Sequence, residues 1–395
     1  MAGLLGIDEA LELVLARIVA LDTEVVPIAD ASGRVLAETV RATVDLPPFD
    51  SSAMDGYAVR AADTPGRLAL VEASAAGAPS TATLAAGQAA PISTGAVVPA
   101  GADAVVPVER TRADGEAAVE VEAVADGDNV RPRGGDTHAG DVVVGRGVRL
   151  GPWAVGAAAA VGVAELRCGR RPRVAVLATG SELRAPGEPL GPGQIYESNT
   201  LLLAAQLRET GALVEAAAPV EDDEQATRAA VERGLAADVL VTSGGVSVGQ
   251  HDHVRAALAA GGVEEVFWQV AVKPGKPVAF GARGHTLVFG LPGNPVSSLV
   301  GFELFVRPAL LALQGASDPG PAWQPGRLAA GVRRDRRTQL VRARRRFDAG
   351  GVLLEPLSGQ ESHMIARAAS ADALVLVEPG DGVLEAGAPV SYLAP

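Results

Sequence analysis

The chain has 395 residues, 48% of them hydrophobic, with 47 glycines and 27 prolines. That length and composition fit several turn-rich domains, each with its own core, and exclude a disordered polymer. A formal charge of −13 argues against a nucleic-acid binder, and the single cysteine, Cys168, excludes an intramolecular disulfide framework or a multi-cysteine metal cluster. Asp8, Glu9 and Glu12 interrupt the N-terminal apolar stretch, unlike a signal peptide, and the weakly polar run 151–164 is too short to span a bilayer. A cytoplasmic protein with neither membrane nor nucleic acid as partner is expected.

In chain order, residues 4–19 read as an amphipathic helix, with Leu11, Val14, Leu15 and Ile18 on one face. Leu46-Pro-Pro-Phe49 is extended and suits a hinge. Residues 68–125 show short β segments punctuated by glycine and proline, with no helix. From Arg173 the pattern changes to alternating strands and helices. It comprises a strand at 174–178, a helix at 200–210 stopped by Gly211, a strand at 213–217, and a helix at 224–235 opened by acidic residues. A strand at 239–241, a helix at 253–260, strands at 266–272, 278–280 and 286–289, and a long helix at 295–313 follow. This is the sequence form of a doubly wound, mainly parallel sheet, whose site lies at the carboxyl ends of its strands. After Ser317-Asp-Pro-Gly-Pro321, short β segments predict a small barrel or sandwich, with the basic run 333–346 as a solvated strand face.

Four loops fall at one edge of the expected sheet. Thr179-Gly-Ser-Glu182 supplies hydroxyls and a carboxylate. Ser243, Gly244 and Gly245 supply backbone donors where an apolar strand stops. Lys273-Pro-Gly-Lys276 supplies two ammonium groups, and Pro292-Gly-Asn294-Pro295 a rigid turn at a helix N-terminus. Ammonium groups beside free N–H groups suit a phosphate or another oxyanion. Asp222 and Asp252 follow strands and suit Mg²⁺, which takes few carboxylates and completes its shell with water and phosphate oxygens. His251 and His253 flank Asp252 without further ligands at zinc spacing. Neither a P-loop nor a GxGxxG fingerprint is present.

The composition sharpens this. Lys273 and Lys276 are the only lysines, and Asn129, Asn199 and Asn294 the only asparagines. In a chain that otherwise uses arginine for its cations, a compact point charge retained twice in one turn is a chemical choice.

Taken together, Phe49-Asp-Ser-Ser-Ala-Met-Asp-Gly-Tyr-Ala58, Ser93-Thr-Gly-Ala96, Arg131-Pro-Arg-Gly-Gly-Asp136, Thr179-Gly-Ser-Glu-Leu183, Ser243-Gly-Gly-Val-Ser-Val-Gly249, Lys273-Pro-Gly-Lys-Pro277 and Leu291-Pro-Gly-Asn-Pro295 resemble the MoeA-type molybdopterin molybdenumtransferases, which include the E domain of gephyrin. The resemblance covers nearly the whole chain in the family's order. It implies a multidomain α/β plus β architecture: a discontinuous linker domain (1–46 and 138–170), an inserted β-rich domain (47–137), a MoaB/MogA-like doubly wound α/β domain (171–315) and a C-terminal β-barrel (316–395). It also implies an elongated homodimer, with the site between the α/β domain of one subunit and the inserted domain of the other.

The reaction it implies is insertion of molybdate into adenylylated molybdopterin with release of AMP, in molybdenum cofactor biosynthesis. By the same resemblance, Lys273, Lys276 and the Ser243–Gly245 turn hold the dianion. Asp222, Asp252 and Glu182 hold Mg²⁺, Asp55 and Asp136 position water or the pterin, Thr94 meets a phosphate oxygen, and Ser362 borders the site. Pro292, Asn294 and Pro295 complete the substrate wall. A MogA-like adenylyltransferase and molybdoenzyme chaperones are the protein partners it suggests. One departure stands out: a family lysine is replaced by Gln269. A non-catalytic pterin-binding scaffold, or a tungstate-preferring paralogue, is the alternative.

Overall fold

The computed structural model describes residues 4–216, 219–220, 223–244 and 253–395. Its centre is a six-stranded sheet of β1 (Arg173–Ala178), β2 (Leu213–Ala216), β3 (Val239–Ser243), β4 (Glu264–Phe267), β5 (Ala279–Arg283) and β6 (Thr286–Leu291). The spatial order is β2-β1-β3-β6-β5-β4. The first four strands run parallel, and β5 and β4 close one edge antiparallel. The helices are α1 (Ile7–Leu15), α2 (Pro152–Ala160), α3 (Asn199–Glu209), α4 (Glu224–Gly234), α5 (His253–Ala260), α6 (Pro295–Gly301) and α7 (Arg307–Leu313).

Both faces of the sheet are covered, so its central strands β3 and β6 are buried along nearly their whole length, while the edge strands β2 and β4 carry exposed glutamates. Val174, Val176, Val239, Val241 and Phe289 pack under α1, α3, α6 and α7, while Leu177, Leu240 and Val288 pack under α4 and α5. Local signals set the helix ends. Asp223 caps α4 by accepting from the Ala226 N–H at 2.7 Å, and Gly211 takes the left-handed conformation, φ 92°, just past α3.

Three sequence expectations change. The helix expected at 4–19 is only nine residues, and it buries Ala10 and Val14 in the α/β core instead of a linker core. The helix expected at 295–313 is interrupted by a π turn, Phe302–Val306. Pro308 has no N–H for the Leu304 carbonyl and its ring crowds that carbonyl, so the ladder widens ahead of it. The stretch is long and apolar enough for a membrane span, but 78% of it is buried in the protein. The strand expected at 266–272 splits: β4 pairs within the sheet, whereas Val272–Lys273 pairs in parallel with Thr338–Gln339 of another domain.

Ahead of the sheet, Thr23–Pro27 pairs with Glu165–Gly169 and Val40–Arg41 with Val142–Val144. They enclose Val26, Leu36, Leu150, Leu166 and Cys168, whose thiol is pushed up by burial. Between these halves lies a second six-stranded sheet, ordered Ala104–Pro107, Gly56–Val59, Gln88–Ile92, Gly66–Leu70, Ala118–Val121, Thr111–Asp114. Gly56 is required there, because a Cβ would sit 2.0 Å from the Val106 carbonyl oxygen.

At the C-terminal end, β7 (Gln324–Leu328), β8 (Thr338–Asp348), β9 (Gly351–Pro356), β10 (Ala373–Val377) and β11 (Pro389–Leu393) close a barrel in the order β8-β9-β7-β11-β10-β8. Its interior holds Val341, Ala343, Leu354 and Val375. The basic run is not a uniformly solvated face. Arg344 and Arg346 are exposed, but Arg342 is 2% exposed, because the loop after β9 folds over it.

Candidate active site

The carboxyl end of β3 is locked to its neighbours by backbone and amide contacts. Gly244, in the left-handed region at φ 86°, donates its N–H to the Leu291 carbonyl at 3.1 Å. Thr179 donates its N–H to the Ser243 carbonyl at 3.4 Å. Asn199, at the start of α3, donates through Nδ2 both to Ser243 Oγ at 2.8 Å and to the Gly293 carbonyl at 2.6 Å. Those two acceptors fix the amide's orientation. They leave Asn199 Oδ1 buried at the same edge with no partner among the described residues. Ser298 Oγ in turn donates to the Pro292 carbonyl at 2.5 Å. The Ser243–Gly244 turn and the Pro292–Pro295 turn are thus one wall. Gly245, Asp222 and Asp252 lie outside the described residues.

Asn294 stands at the N-cap of α6 and Pro295 fills its first turn, where a missing N–H costs nothing. The next N–H, that of Val296, donates to the Ser362 carbonyl at 3.1 Å. Ser362 therefore reaches this edge through its backbone, on a loop built around Arg342. That guanidinium donates to the carbonyls of Met364 at 2.9 Å, Gly359 at 2.8 Å and Glu361 at 3.2 Å. Burial pulls its pKa below the usual value. Gln360 adds bonds to both the N–H and the carbonyl of Arg342, at 3.0 and 2.9 Å.

Glu182 is exposed at the adjoining loop, and its carboxylate folds back over Gly180, where a Cβ would lie 2.6 Å from Oε2. Among the described residues no group of three or more His, Cys, Asp or Glu side chains converges.

The lysine turn departs from expectation. Lys273 Nζ donates to Asp335 Oδ2 of the barrel at 2.8 Å, so a carboxylate already offsets its charge. That ammonium keeps the Asp335 carboxyl below the usual carboxylate range. Lys276 is exposed, and no ion pair within 4 Å involves it among the described residues. Arg255 pairs with Glu265 at 3.0 Å and stacks 4.2 Å over Trp268, the residue before Gln269.

A second set sits in the inserted domain. Asp55 Oδ1 accepts from the Thr94 N–H at 2.7 Å and from its hydroxyl at 3.0 Å, and these bonds, the backbone one first, hold its carboxyl below the usual range. Asp136 hangs from the hinge, its N–H on the Leu46 carbonyl at 2.9 Å. The loop before it is pinned by Arg133, whose N–H reaches Asp50 at 2.7 Å and whose Nε reaches Asp45 at 2.5 Å. Among the described residues of one chain, no hydrogen bond or ion pair joins Asp55, Thr94 or Asp136 to the β3 edge, the lysine turn or Ser362.

Three contributors escaped the sequence reading: Asn199, Arg342 and Asp335. Asn199 carried a signal, as one of three asparagines. Of the other two, Asn129 has a structural reason, sitting at φ 56° and donating to the Val105 carbonyl at 2.8 Å, whereas Asn294 occupies the N-cap position of α6 with no side-chain cap bond.

Comparison with known proteins covers nearly all of this geometry. Residues 5–162 match the MoeA N-terminal region (domains I and II), residues 175–312 a probable molybdopterin binding domain, and residues 325–394 the MoeA C-terminal region (domain IV). Molybdopterin molybdenumtransferase 2 of Mycobacterium tuberculosis is 40% identical over 366 residues, covering 89% of each chain. The molybdopterin molybdenumtransferase of Haemophilus influenzae is 34% identical, covering 93% of each. Among solved structures, a molybdopterin biosynthesis MoeA protein from Pyrococcus horikoshii superimposes with a TM-score of 0.82 at 28% identity over 100% of both chains.

Proposed function

The chain belongs to the MoeA family of molybdopterin molybdenumtransferases, and on that premise we propose that it inserts molybdate into adenylylated molybdopterin with release of AMP. The observation that carries this reading is the single wall formed by Ser243, Gly244, Asn199 and the Pro292–Pro295 turn, with the Ser362 loop seated on the α6 N-terminus. The Gly244 and Val296 N–H groups are spent on the Leu291 and Ser362 carbonyls that hold this wall together, so the wall offers an oxyanion a fixed seat that needs no reorganisation. Lys276, which enters no ion pair among the described residues, supplies positive charge from the lysine turn.

Mg²⁺ belongs to the same reading. Glu182 offers one hard oxygen donor at this edge, which suits an ion that keeps waters and takes substrate phosphate oxygens. Bound there, Mg²⁺ would neutralise charge on the adenylate's phosphates. Asp222 and Asp252 are its further candidate ligands.

Among the described residues of one chain, Asp55, Thr94 and Asp136 have no partner at the β3 edge, which supports a homodimer whose second subunit brings them to the site. The surface of α2 supports it too. Trp153 is 93% exposed, and beside Gly156, Ala160 and Val142 it lines a 710 Å³ groove that Asp136 also lines. A MogA-like adenylyltransferase would supply the adenylylated substrate.

The test is incubation of the full chain with adenylylated molybdopterin, Mg²⁺ and molybdate, following AMP release and metal incorporation. Absence of both products favours the scaffold. Lys276→Ala is expected to raise the KM for molybdate about tenfold or more, the worth of a charge-assisted hydrogen bond, with an unchanged thermal midpoint. An unaltered KM removes Lys276 from the site.

A further inference from the structure

We propose that Asp335 sets the anion charge that the lysine turn accepts, by cancelling one of its positive charges. The inference rests on the oxyanion reading of that turn. The pair is close, at 2.8 Å, and the Lys273 and Asp335 side chains keep 48% and 25% of their exposure. A carboxylate in that position is held from several sides. Its Oδ1 accepts from the Arg337 N–H at 3.1 Å, its backbone carbonyl accepts from the Gly380 N–H at 3.0 Å, and the Arg337 Nε stands 3.7 Å from Oδ1. The lysine side is equally fixed, because Val272–Lys273 is a strand on Thr338–Gln339 and the Val272 carbonyl accepts from Arg337 Nη1 at 3.2 Å.

The ammonium of Lys273 therefore cannot leave its carboxylate without unpairing two domains' backbones or swinging its own side chain. An anion arriving at the turn meets Lys276, which has no ion-pair partner among the described residues, and Lys273 with a negative charge beside it. Coulomb energy is linear in the ligand's charge, so Asp335 opposes a dianion with twice the energy it opposes a monoanion of the same shape. Family membership does not assign this role, and Asp335 lies in none of the motifs that mark the family in this sequence.

Asp335→Asn tests it. Asparagine keeps the oxygen that accepts from the Arg337 N–H and loses the charge. The full-length protein is titrated calorimetrically with molybdate, a tetrahedral dianion, and with perrhenate, a tetrahedral monoanion of similar size. If perrhenate tightens about threefold, molybdate is expected to tighten by the square of that, about ninefold, and both gains should shrink in 1 M inert salt. Equal tightening of both ions, no change, or weakening of both overturns the proposal; weakening would mean that Asp335 holds Lys273 in its binding pose. Lys276→Ala, measured alongside, separates the two levels. Loss of molybdate binding there, with no response to Asp335→Asn, overturns only the charge-setting role. Undiminished molybdate binding in Lys276→Ala and Lys273→Ala overturns the oxyanion reading and this inference with it.

Discussion

Arg342→Met is expected to lower molybdate-dependent AMP release about tenfold or more while the chain stays folded. The substitution keeps apolar bulk on β8 but removes the donors for the carbonyls of Gly359, Glu361 and Met364. Each acceptor left unsatisfied in a buried setting costs about 1–3 kcal/mol, so the 359–364 loop lifts into water to hydrate them. Its departure takes the Ser362 carbonyl from the Val296 N–H and exposes the N-terminus of α6. Arg342→Lys keeps the charge but not the planar fork, so one carbonyl stays bonded and the loss is intermediate. Hydrogen exchange localises the effect: faster exchange in residues 357–364 and in the first turn of α6, with β8 and β10 unchanged. A variant with normal exchange and normal turnover would falsify the role given to Arg342.

Glu303→Ala is expected to destabilise the α/β domain by about 3–5 kcal/mol, the usual result of removing one member of a buried ion pair. The Glu303 side chain is 4% exposed and lies in the π turn. It accepts from Arg307 Nε at 2.6 Å, from Arg307 Nη2 at 3.0 Å and from Gln206 Nε2 at 2.7 Å. Burial is the largest influence on Arg307 and opposes its charge, yet the hydrogen bonds it donates to Glu303 together with the negative charges of Glu303 and Glu209 outweigh it and raise its pKa. Without Glu303, that cation keeps, among the described residues, the Thr210 hydroxyl at 3.1 Å, Glu209 at 3.8 Å and the Phe302 ring at 5.4 Å. Glu303→Gln retains an acceptor and should lose roughly half as much. Urea unfolding monitored by circular dichroism decides it: a shift in midpoint below that expected for 1 kcal/mol would show that the network is dispensable.

The elements that came out of the sequence at their observed positions are those set by local chemistry. Asp223 begins α4, Gly211 follows α3, and helix α5 spans the expected residues because caps and glycines act within one turn. What failed depended on partners distant in the chain. The alternation of Val266, Val270 and Val272 resembles one strand, but its two ends pair with strands from different domains. The interruption before α7 comes from Pro308, readable in principle, yet which turn absorbs the defect depends on the packing of Phe302 and Phe305 in the core. In the site, the glycine and proline turns were legible because their backbone demands are local. The Lys273–Asp335 pair spans 62 positions, and no spacing rule reaches across a domain boundary to find it. Arg342 was hidden for a similar reason: one arginine among many reads as solvated until a later loop closes over it.

The turn Lys273–Lys276 also makes this chain its own reporter. Apart from the α-amino group, every primary amine in the molecule lies within four consecutive residues. Both lysines precede proline, so lysyl-specific proteases have no good bond to cut. Acylation with a small amine reagent, weighed on peptides as well as on the intact 39.9 kDa protein, therefore counts at most two events at one turn beside one at the α-amino group. The two amines differ in kind: one is tied into an ion pair and the other open, so Lys276 should acquire label first. An oxyanion seated on the turn should slow that first step, while leaving the α-amino group as an internal standard.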